Sequence, residues 1–550
     1  MSRRALLLAA LLVLCVSAIY ICIILKLDNT NIGTTNGLWK SAAIKGWETG
    51  AGHEFDNGEW LYGPLYGTLA RLIPDRMVAA GTGGAVITVR KMAILNALFG
   101  GIASAAVFLL AIRFTSIAGA LLIALAHASS AFVILNSVNS EDVIPAYACF
   151  TLTVLFLFEY FSLNRFALLF ATAVACLLMT LLHWTLMIPC LAAVCALGIW
   201  LFRTERRKTW IIPAFLAIFL ALAAIVATAS RPIGSLKNLL YPVKAQTSKG
   251  YLGFAWTKVV YMFIGIGNYF CGGANSGDYY AALHNSTYLS WMVVSWSFTL
   301  AALAGVAVAL AVPSINRNLR LLAVFGAALF CTGQAEHLYS QPQDPQSQIQ
   351  PMFVCTIGLT ILAERSERTR SRQFQRACGA ALAGFVLSIG IYNVRLMFEK
   401  QGEDTRYDRA AIALARMFPP SSALVVSHGW EDWNTWMYIE TFGGDWDRYR
   451  SQAVQLVMVF NDHPGISGDA AAELIVKQIT DARNHSHRVV ADTLWIGSRE
   501  NFERSLSTLV DPRTARAYSD RLLATFRAGR QLETPVGPFV ELEPAVTARP

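Results

Sequence analysis

Charge is what this sequence is short of. Of its 550 residues 15% are charged and 55% hydrophobic, and the mean hydropathy is +0.45, whereas soluble domains carry about 25% charged residues. The shortage excludes an ordinary soluble protein and describes a polytopic membrane protein. A CxxC pair is also missing. The ten cysteines (Cys15, Cys22, Cys149, Cys176, Cys190, Cys195, Cys271, Cys331, Cys355 and Cys378) lie in or beside hydrophobic segments, with none in the polar C-terminal part. Neither a disulfide framework nor a zinc site is indicated. No G-x-S-x-G elbow surrounds Ser427-His428-Gly429, which argues against a hydrolase triad. Internal repeats and low-complexity tracts are absent as well. The net charge of +9 sits in short loops between apolar runs. There Lys and Arg orient helices in a bilayer rather than bind nucleic acid.

What is present is a series of long apolar runs. Arg3 and Arg4 precede an unbroken run from Ala5 to Leu25, long enough for the roughly 20 residues a spanning helix needs. Because the run continues past Val-Ser-Ala at Ala18, it reads as an uncleaved anchor rather than a signal peptide. Further runs centre on 92 to 112, 115 to 135, 144 to 161, 166 to 183, 185 to 202, 210 to 229, 286 to 312, 319 to 334, 350 to 363 and 377 to 396, which predicts about eleven crossings. Alternate turns collect the basic residues: Arg113, Arg165, then Arg203 to Lys208, Arg317 and Arg320, and Arg365 to Arg376. The intervening short turns, 136 to 143, 184 and 335 to 349, have no Lys or Arg. By the positive-inside rule the N-terminus is cytoplasmic and the C-terminal part extracytoplasmic, in an inner or plasma membrane. Phe254 to Phe270 reads as interfacial or re-entrant, since a crossing there would invert every later loop.

From about Glu399 the composition changes to a soluble pattern. Strands are expected at Ala423 to Ser427, Val454 to Phe460 and Arg488 to Ile496, with helices at 468 to 484 and 512 to 528. The expected fold class is therefore a polytopic α-helical membrane domain, residues 1–398 with long outer loops 27–90 and 230–285, followed by a soluble α/β domain, residues 399–550.

The chemistry gathers on the outer side. The first outer loop reads E-T-G-A-G-H-E-F-D-N-G-E-W-L-Y-G-P-L-Y-G and holds Glu48, Glu54, Asp56 and Glu59 beside Trp60, Tyr62 and Tyr66. Glu141 and Asp142 occupy a second outer turn, and Glu336, His337, Gln343 and Asp344 a third. Carboxylates at a low-dielectric mouth can act as general bases or hold a divalent metal such as Mg or Mn. The aromatic rings suit the face of a sugar or the neck of a lipid. Arg231, Lys237, Lys244 and Lys249 of the other long outer loop can neutralise a phosphate. Each feature has a plain alternative. Exposed acids are by default solvated, Asp56 sits in a turn-forming Asp-Asn-Gly, and Glu141 and Asp142 can cap the next helix. The outer basic residues can anchor in headgroups, and His127 and His183 read as packed or interfacial histidines.

The arrangement resembles the GT-C integral-membrane glycosyltransferases, which include protein mannosyltransferases, aminoarabinose transferases and the catalytic subunit of oligosaccharyltransferase. The resemblance covers residues 5 to 396. It rests on the cytoplasmic N-terminus, the long acidic first outer loop, Y-G-P-L-Y-G-T-L-A-R-L-I-P at Tyr62 to Pro74, and Glu141-Asp142. It implies a polyprenyl-phosphate or polyprenyl-diphosphate sugar donor, inverting transfer to a glycan, lipid or protein acceptor, and an acid of the first outer loop in catalysis. In some members acids of the first two outer loops bind a divalent metal. In many relatives the key acid follows the first helix closely, but here that stretch is Thr34-Thr35-Asn36-Gly37-Leu38-Trp39. Asp56 is therefore the first candidate base, followed by Glu54 and Asp28. Glu141, Asp142 and Glu59 would position the acceptor or a metal; Arg231, Lys244 and Lys249 would hold the donor phosphate. Trp60, Tyr62, Tyr66, His337, Gln343 and Asp344 would line the substrate. The rivals are a transporter or lipid flippase and a non-catalytic membrane scaffold. Charge-free helix interiors with acids at one mouth favour the enzyme, since transporters carry ionisable residues at the midplane.

Overall fold

A computed structural model describes residues 2–27, 44, 61–78, 85–140, 142–206, 209–229, 256–272, 286–312, 315–339, 348–369, 371–417, 423–427, 453–456, 459–460, 463, 465–485, 487–491, 493–506, 510–534 and 537–545. It divides into two compact units, with the residues from Gly402 on in the second.

The first unit is helical. Its elements are α1 (Arg3–Lys26), α2 (Tyr62–Ala70), α3 (Asp75–Val78), α4 (Ala85–Ala111), α5 (Ile117–Ser129), α6 (Ala131–Val138), α7 (Val143–Leu163), α8 (Phe166–Leu182), α9 (Met187–Thr204), α10 (Ile211–Ala229), α11 (Trp256–Gly267), α12 (Ser286–Ala311), α13 (Arg317–His337), α14 (Phe353–Arg368) and, up to Gln401, α15 (Arg372–Met417). Every apolar run picked out in the sequence is helical. Among the described residues seven helices are long and apolar enough to cross a bilayer, and the bent pair α5 and α6 makes an eighth. Phe166–Leu182 and Ile211–Val226 are apolar but shorter, and α14 has 16 residues. This is an integral membrane protein.

The pattern within α1 shows why such a helix needs lipid. Ala5, Ala9, Leu12, Val16 and Tyr20 face the bundle, while Leu7, Leu11, Leu14 and Ile19 remain more than half exposed. Ser2 starts the helix, its hydroxyl accepting from the Ala5 amide at 3.2 Å. Tyr20 then donates to the Ala128 carbonyl at 2.6 Å and Ser17 to the Ala97 carbonyl at 3.1 Å. These bonds lock α1 against α4 and α5 without a charge.

The 115 to 135 run is not straight. It bends by 62° at Ser130, whose extended backbone interrupts the helix. The end of α11, a helix far in sequence, fills the break. Ala131 N donates to Phe270 O at 3.1 Å. Asn393 of α15 donates to Ser129 O at 2.9 Å and Phe270 O at 2.7 Å, and its own carbonyl accepts from Gly272 N at 3.2 Å. Ser295 accepts from the Phe270 and Cys271 amides at 3.2 and 3.3 Å. Non-helical backbone inside a membrane protein requires this kind of protein-supplied satisfaction. With 12 residues, α11 is about 18 Å long and too short to cross a core of about 30 Å.

The end that carries the arginine-rich turns is pinned by ion pairs. Arg113 holds Glu159 through two nitrogens, Arg317 holds Glu205, and the Glu367 carboxylate accepts from the Ser116 amide at 2.8 Å and its hydroxyl at 2.6 Å.

The second unit is α/β. Strands β1 (Ala423–Ser427), β2 (Ala453–Gln455), β3 (Arg488–Ala491), β4 (Phe526–Thr534) and β5 (Gly537–Pro544) form one sheet in the order β2-β1-β3-β5-β4. The first three are parallel and β5 is antiparallel to both β3 and β4. Helices α16 (Gly468–Asn484), α17 (Arg499–Leu506) and α18 (Pro512–Thr525) accompany it. Leu424, Val426, Ile475, Ile479, Phe502, Tyr518, Leu522 and Leu542 share its core. The expected strand over 454–460 shortens to 453–455, and that over 488–496 to 488–491. The β4–β5 hairpin was not anticipated. Its alternation is broken by a shift in register between Ala528 and Gln531, and the helical pattern before it masks where the strand begins.

Candidate functional site

Polar side chains meet at one end of the bundle, where α2, the turn before α7 and the turn after α8 come together. The Leu61 amide donates to Leu181 O at 3.0 Å, which fixes the start of α2 against the end of α8. Tyr62 and Tyr66 are one helical turn apart, so their rings lie over each other with centroids 4.2 Å apart. Phe99 stacks on Tyr66 at 6.0 Å. The Tyr66 hydroxyl donates to Asn96 Oδ1, and Asn96 Nδ2 donates to Asn139 O at 2.7 Å. Both tyrosines are buried, as are Asn96 and Asn139. Burial holds the Tyr66 phenol well above its ordinary pKa, and the negative charge of Asp142 acts in the same direction.

Asp142 lies three residues beyond Asn139 and is only 2% exposed. It occupies the N-cap position of α7, yet its side chain makes no capping bond. Asp142 Oδ1 lies 3.8 Å from His183 Nε2. The other ring nitrogen, Nδ1, is 2.9 Å from Thr185 Oγ1. A carboxylate, an imidazole and a hydroxyl thus lie near one another beside a buried tyrosine pair; the carboxylate and the ring are farther apart than a hydrogen bond, and a protonated His183 would be drawn to Asp142 by charge.

The remaining candidates fall in three groups. Tyr62, Tyr66 and Asp142 are brought together. His337 is buried at the end of α13. Asp28, Glu54, Asp56, Glu59, Trp60, Glu141, Arg231, Lys244, Lys249, Gln343 and Asp344 lie outside the described residues. Near His337, Gln334 and Gln348 pair through both amides at 2.6 and 3.1 Å. Gln350 donates to Leu186 O at 2.8 Å.

Sequence reasoning did not single out Asn96, Arg90 and Lys91, and it read His183 as packed or interfacial. Arg90 and Lys91 are each 2% exposed. Arg90 donates to Leu27 O at 2.8 Å and Val78 O at 3.1 Å, and Lys91 pairs with Asp75 at 2.6 Å. Two adjacent cations at the expected outer end of a crossing run against the positive-inside rule. That exception was the signal available for them. His183 and Asn96 offered none, because a single polar residue at the edge of an apolar run has no partner until the helices pack.

Among the described residues no three or more His, Cys, Asp or Glu side chains gather as metal ligands. Neither a protein-family model nor a curated protein matches the chain. Solved structures do. The crystal structure of ArnT from Cupriavidus metallidurans bound to undecaprenyl phosphate matches with a TM-score of 0.51 and 12% identity, over 100% of both chains. The apo Archaeoglobus fulgidus oligosaccharyltransferase matches with a TM-score of 0.56 and 12% identity, over 98% of this chain and 75% of that one. Its complex with Zn and sulfate matches with a TM-score of 0.53 and 11% identity, over 96% and 72%. Both proteins are GT-C glycosyltransferases. At such low identity the likeness is one of fold.

Proposed function

We propose that this chain, with the fold of the GT-C enzymes, transfers a sugar from a polyprenyl-phosphate-linked donor to a glycan, lipid or protein acceptor at the extracytoplasmic face. The observation that carries the reading is Asp142. A carboxylate only 2% exposed lies 3.8 Å from a histidine at the bundle end, in a chain matching a polyprenyl-phosphate-bound structure over its whole length.

In this reading a first-loop acid, Asp56 ahead of Glu54 and Asp28, takes the proton of the acceptor hydroxyl. The acceptor oxygen attacks the anomeric carbon from the side opposite the phosphate. The bond between that carbon and the phosphate oxygen breaks, the phosphate stays on the polyprenol, and the anomeric centre inverts. Arg231, Lys244 and Lys249 offset the charge that develops on the departing phosphate. Asp142, set by His183, positions the acceptor together with Glu141 and Glu59. Tyr62 and Tyr66 form the buried wall behind Asp142, and Trp60, His337, Gln343 and Asp344 complete the lining. Among the described residues Asp142 and His183 are two donors that could contribute to an ion site; Glu141 and Glu59, which would have to complete it, lie outside the described residues.

The test uses the full chain in proteoliposomes with labelled polyprenyl-phosphate sugars. Wild type should release lipid phosphate, and Asp56→Asn and Asp142→Asn should each lower the rate at least ~100-fold, the scale of a general-base or positioning contribution. Movement of intact donor without its consumption would instead identify a flippase. Full activity in both variants would remove the assigned roles.

A further inference from the structure

Arg90 and Lys91 are buried cations that hold other segments of the chain in place, and the site as described gives them no part in the reaction. Arg90 Nη2 donates to Leu27 O at 2.8 Å and Nη1 to Val78 O at 3.1 Å. Leu27 is the C-cap of α1, and Val78 ends α3. Lys91 Nζ lies 2.6 Å from Oδ1 of Asp75, the first residue of α3. One point near the start of α4 thus fastens the end of α1 and both ends of α3.

These contacts set where the acid-bearing part of the first outer loop begins. Residues 28 to 60, with Asp28, Glu54 and Asp56, follow directly on the carbonyl that Arg90 holds and end at Leu61, whose amide is fastened to Leu181 O at 3.0 Å. Arg90 also ties that starting point to the site. With four residues α3 is too short to keep a helical turn by itself, and it follows α2 through a compact turn in which Leu72 N bonds to Leu69 O at 2.9 Å and Ile73 N to Ala70 O at 3.1 Å. Tyr66 of α2 bonds to Asn96, which leads to Asn139 and the turn of Asp142. A guanidinium suits this task, because its planar fork fixes two acceptors at a set spacing, whereas an ammonium is a point charge on a flexible stem. Stability alone does not call for buried cations, since well-packed apolar side chains of similar volume often do as well or better.

We propose that Arg90 is a positioning residue for glycosyl transfer: by gripping the Leu27 and Val78 carbonyls it fixes the start of the acid-bearing segment relative to α3 and, through α2, relative to Asp142. This rests on the glycosyltransferase reading and adds to it a residue that touches no reactant. Misplacing a reacting group by about 1 Å can cost on the order of 100-fold in rate, so loosening the grip acts on turnover more than on donor binding.

The full chain in proteoliposomes is given labelled polyprenyl-phosphate sugars, and kcat, KM and the folded fraction are measured for wild type, Arg90→Lys and Arg90→Gln. Lysine keeps the charge and loses the fork. Glutamine removes the charge as well, so a variant remains to be measured if a buried lysine prevents folding. Each folded variant should lose kcat by about 10- to 100-fold with little change in KM, the split expected when an interaction acts on the transition state. Wild-type kcat in either folded variant overturns the proposal and leaves the glycosyltransferase reading intact. A loss confined to KM, a loss that disappears when rates are scaled to the folded fraction, or failure of both variants to fold makes Arg90 a structural residue and overturns the proposal in the same way. Wild type that consumes no donor overturns the reading and the proposal together.

Discussion

Tyr66 shows what single residues do in this protein. Its hydroxyl reaches Asn96, whose other end holds the Asn139 carbonyl, so one phenol steadies the turn that leads to Asp142. Tyr66→Phe leaves a buried amide oxygen without its donor, which costs about 1–3 kcal/mol. Thermal unfolding in detergent should register that loss. In a double-mutant cycle, adding Asn96→Ala should cost less than the sum of the single changes, because both remove one network. Burial keeps the phenol protonated well above its ordinary range, so this bond is expected to persist through neutral and mildly alkaline pH. In the sequence Tyr62 and Tyr66 read as outer-loop aromatics suited to a sugar or a lipid. That their rings would be consumed by each other and by Phe99 was not legible there, because the third ring comes from α4.

At the scale of elements, close approach decides which helices touch. A Cβ added at Gly358 would lie 2.0 Å from the Ala302 carbonyl, and one at Gly305 would lie 2.9 Å from the Gly358 carbonyl. The glycines of α12 and α14 therefore admit each other's backbone, as small residues do at membrane helix interfaces. Gly358→Val should destabilise the bundle by about 1–3 kcal/mol or more, since the obstacle is main chain and cannot rotate aside. Gly379→Ala on α15 is the control. Nothing lies within 4 Å of that position, so helix propensity alone should operate and stability should rise by about 0.5–1 kcal/mol. Comparing the two unfolding midpoints checks both. Apolar run lengths located these helices, yet the bend at Ser130 was invisible, because its cause is Phe270 and Asn393 and not the run itself.

For the whole molecule, the two units depend on solution conditions differently. The C-terminal unit carries Glu503, where burial raises the pKa but is outweighed by bonds from Ser519 and Arg499 and by the charges of Arg499 and Arg516, leaving it lowered. Asp511 is also held low, chiefly by the Thr514 hydroxyl and amide. A lowered carboxylate contributes stability above its ordinary range, and that contribution is lost as pH falls through the folded value. Acid should therefore loosen this unit from about pH 4 downward. Glu503→Gln should flatten that pH dependence in the far-ultraviolet signal of the β-sheet.

The sequence by itself determined that the chain lives in a membrane, where its apolar helices lie, and that a mixed α/β unit follows them. Those properties come from transfer free energies and periodicities that add along the chain, so a local reading captures them. Tertiary structure alone decided that Asp142 would lie beside His183, that Arg90 and Lys91 would be buried on carbonyls and Asp75, and that Gln350 would be anchored on the Leu186 carbonyl. Each of these depends on a partner 12 or more residues away and on a desolvated setting. A buried polar group acquires its energy from whichever group packing places beside it, and no stretch of sequence contains that information alone.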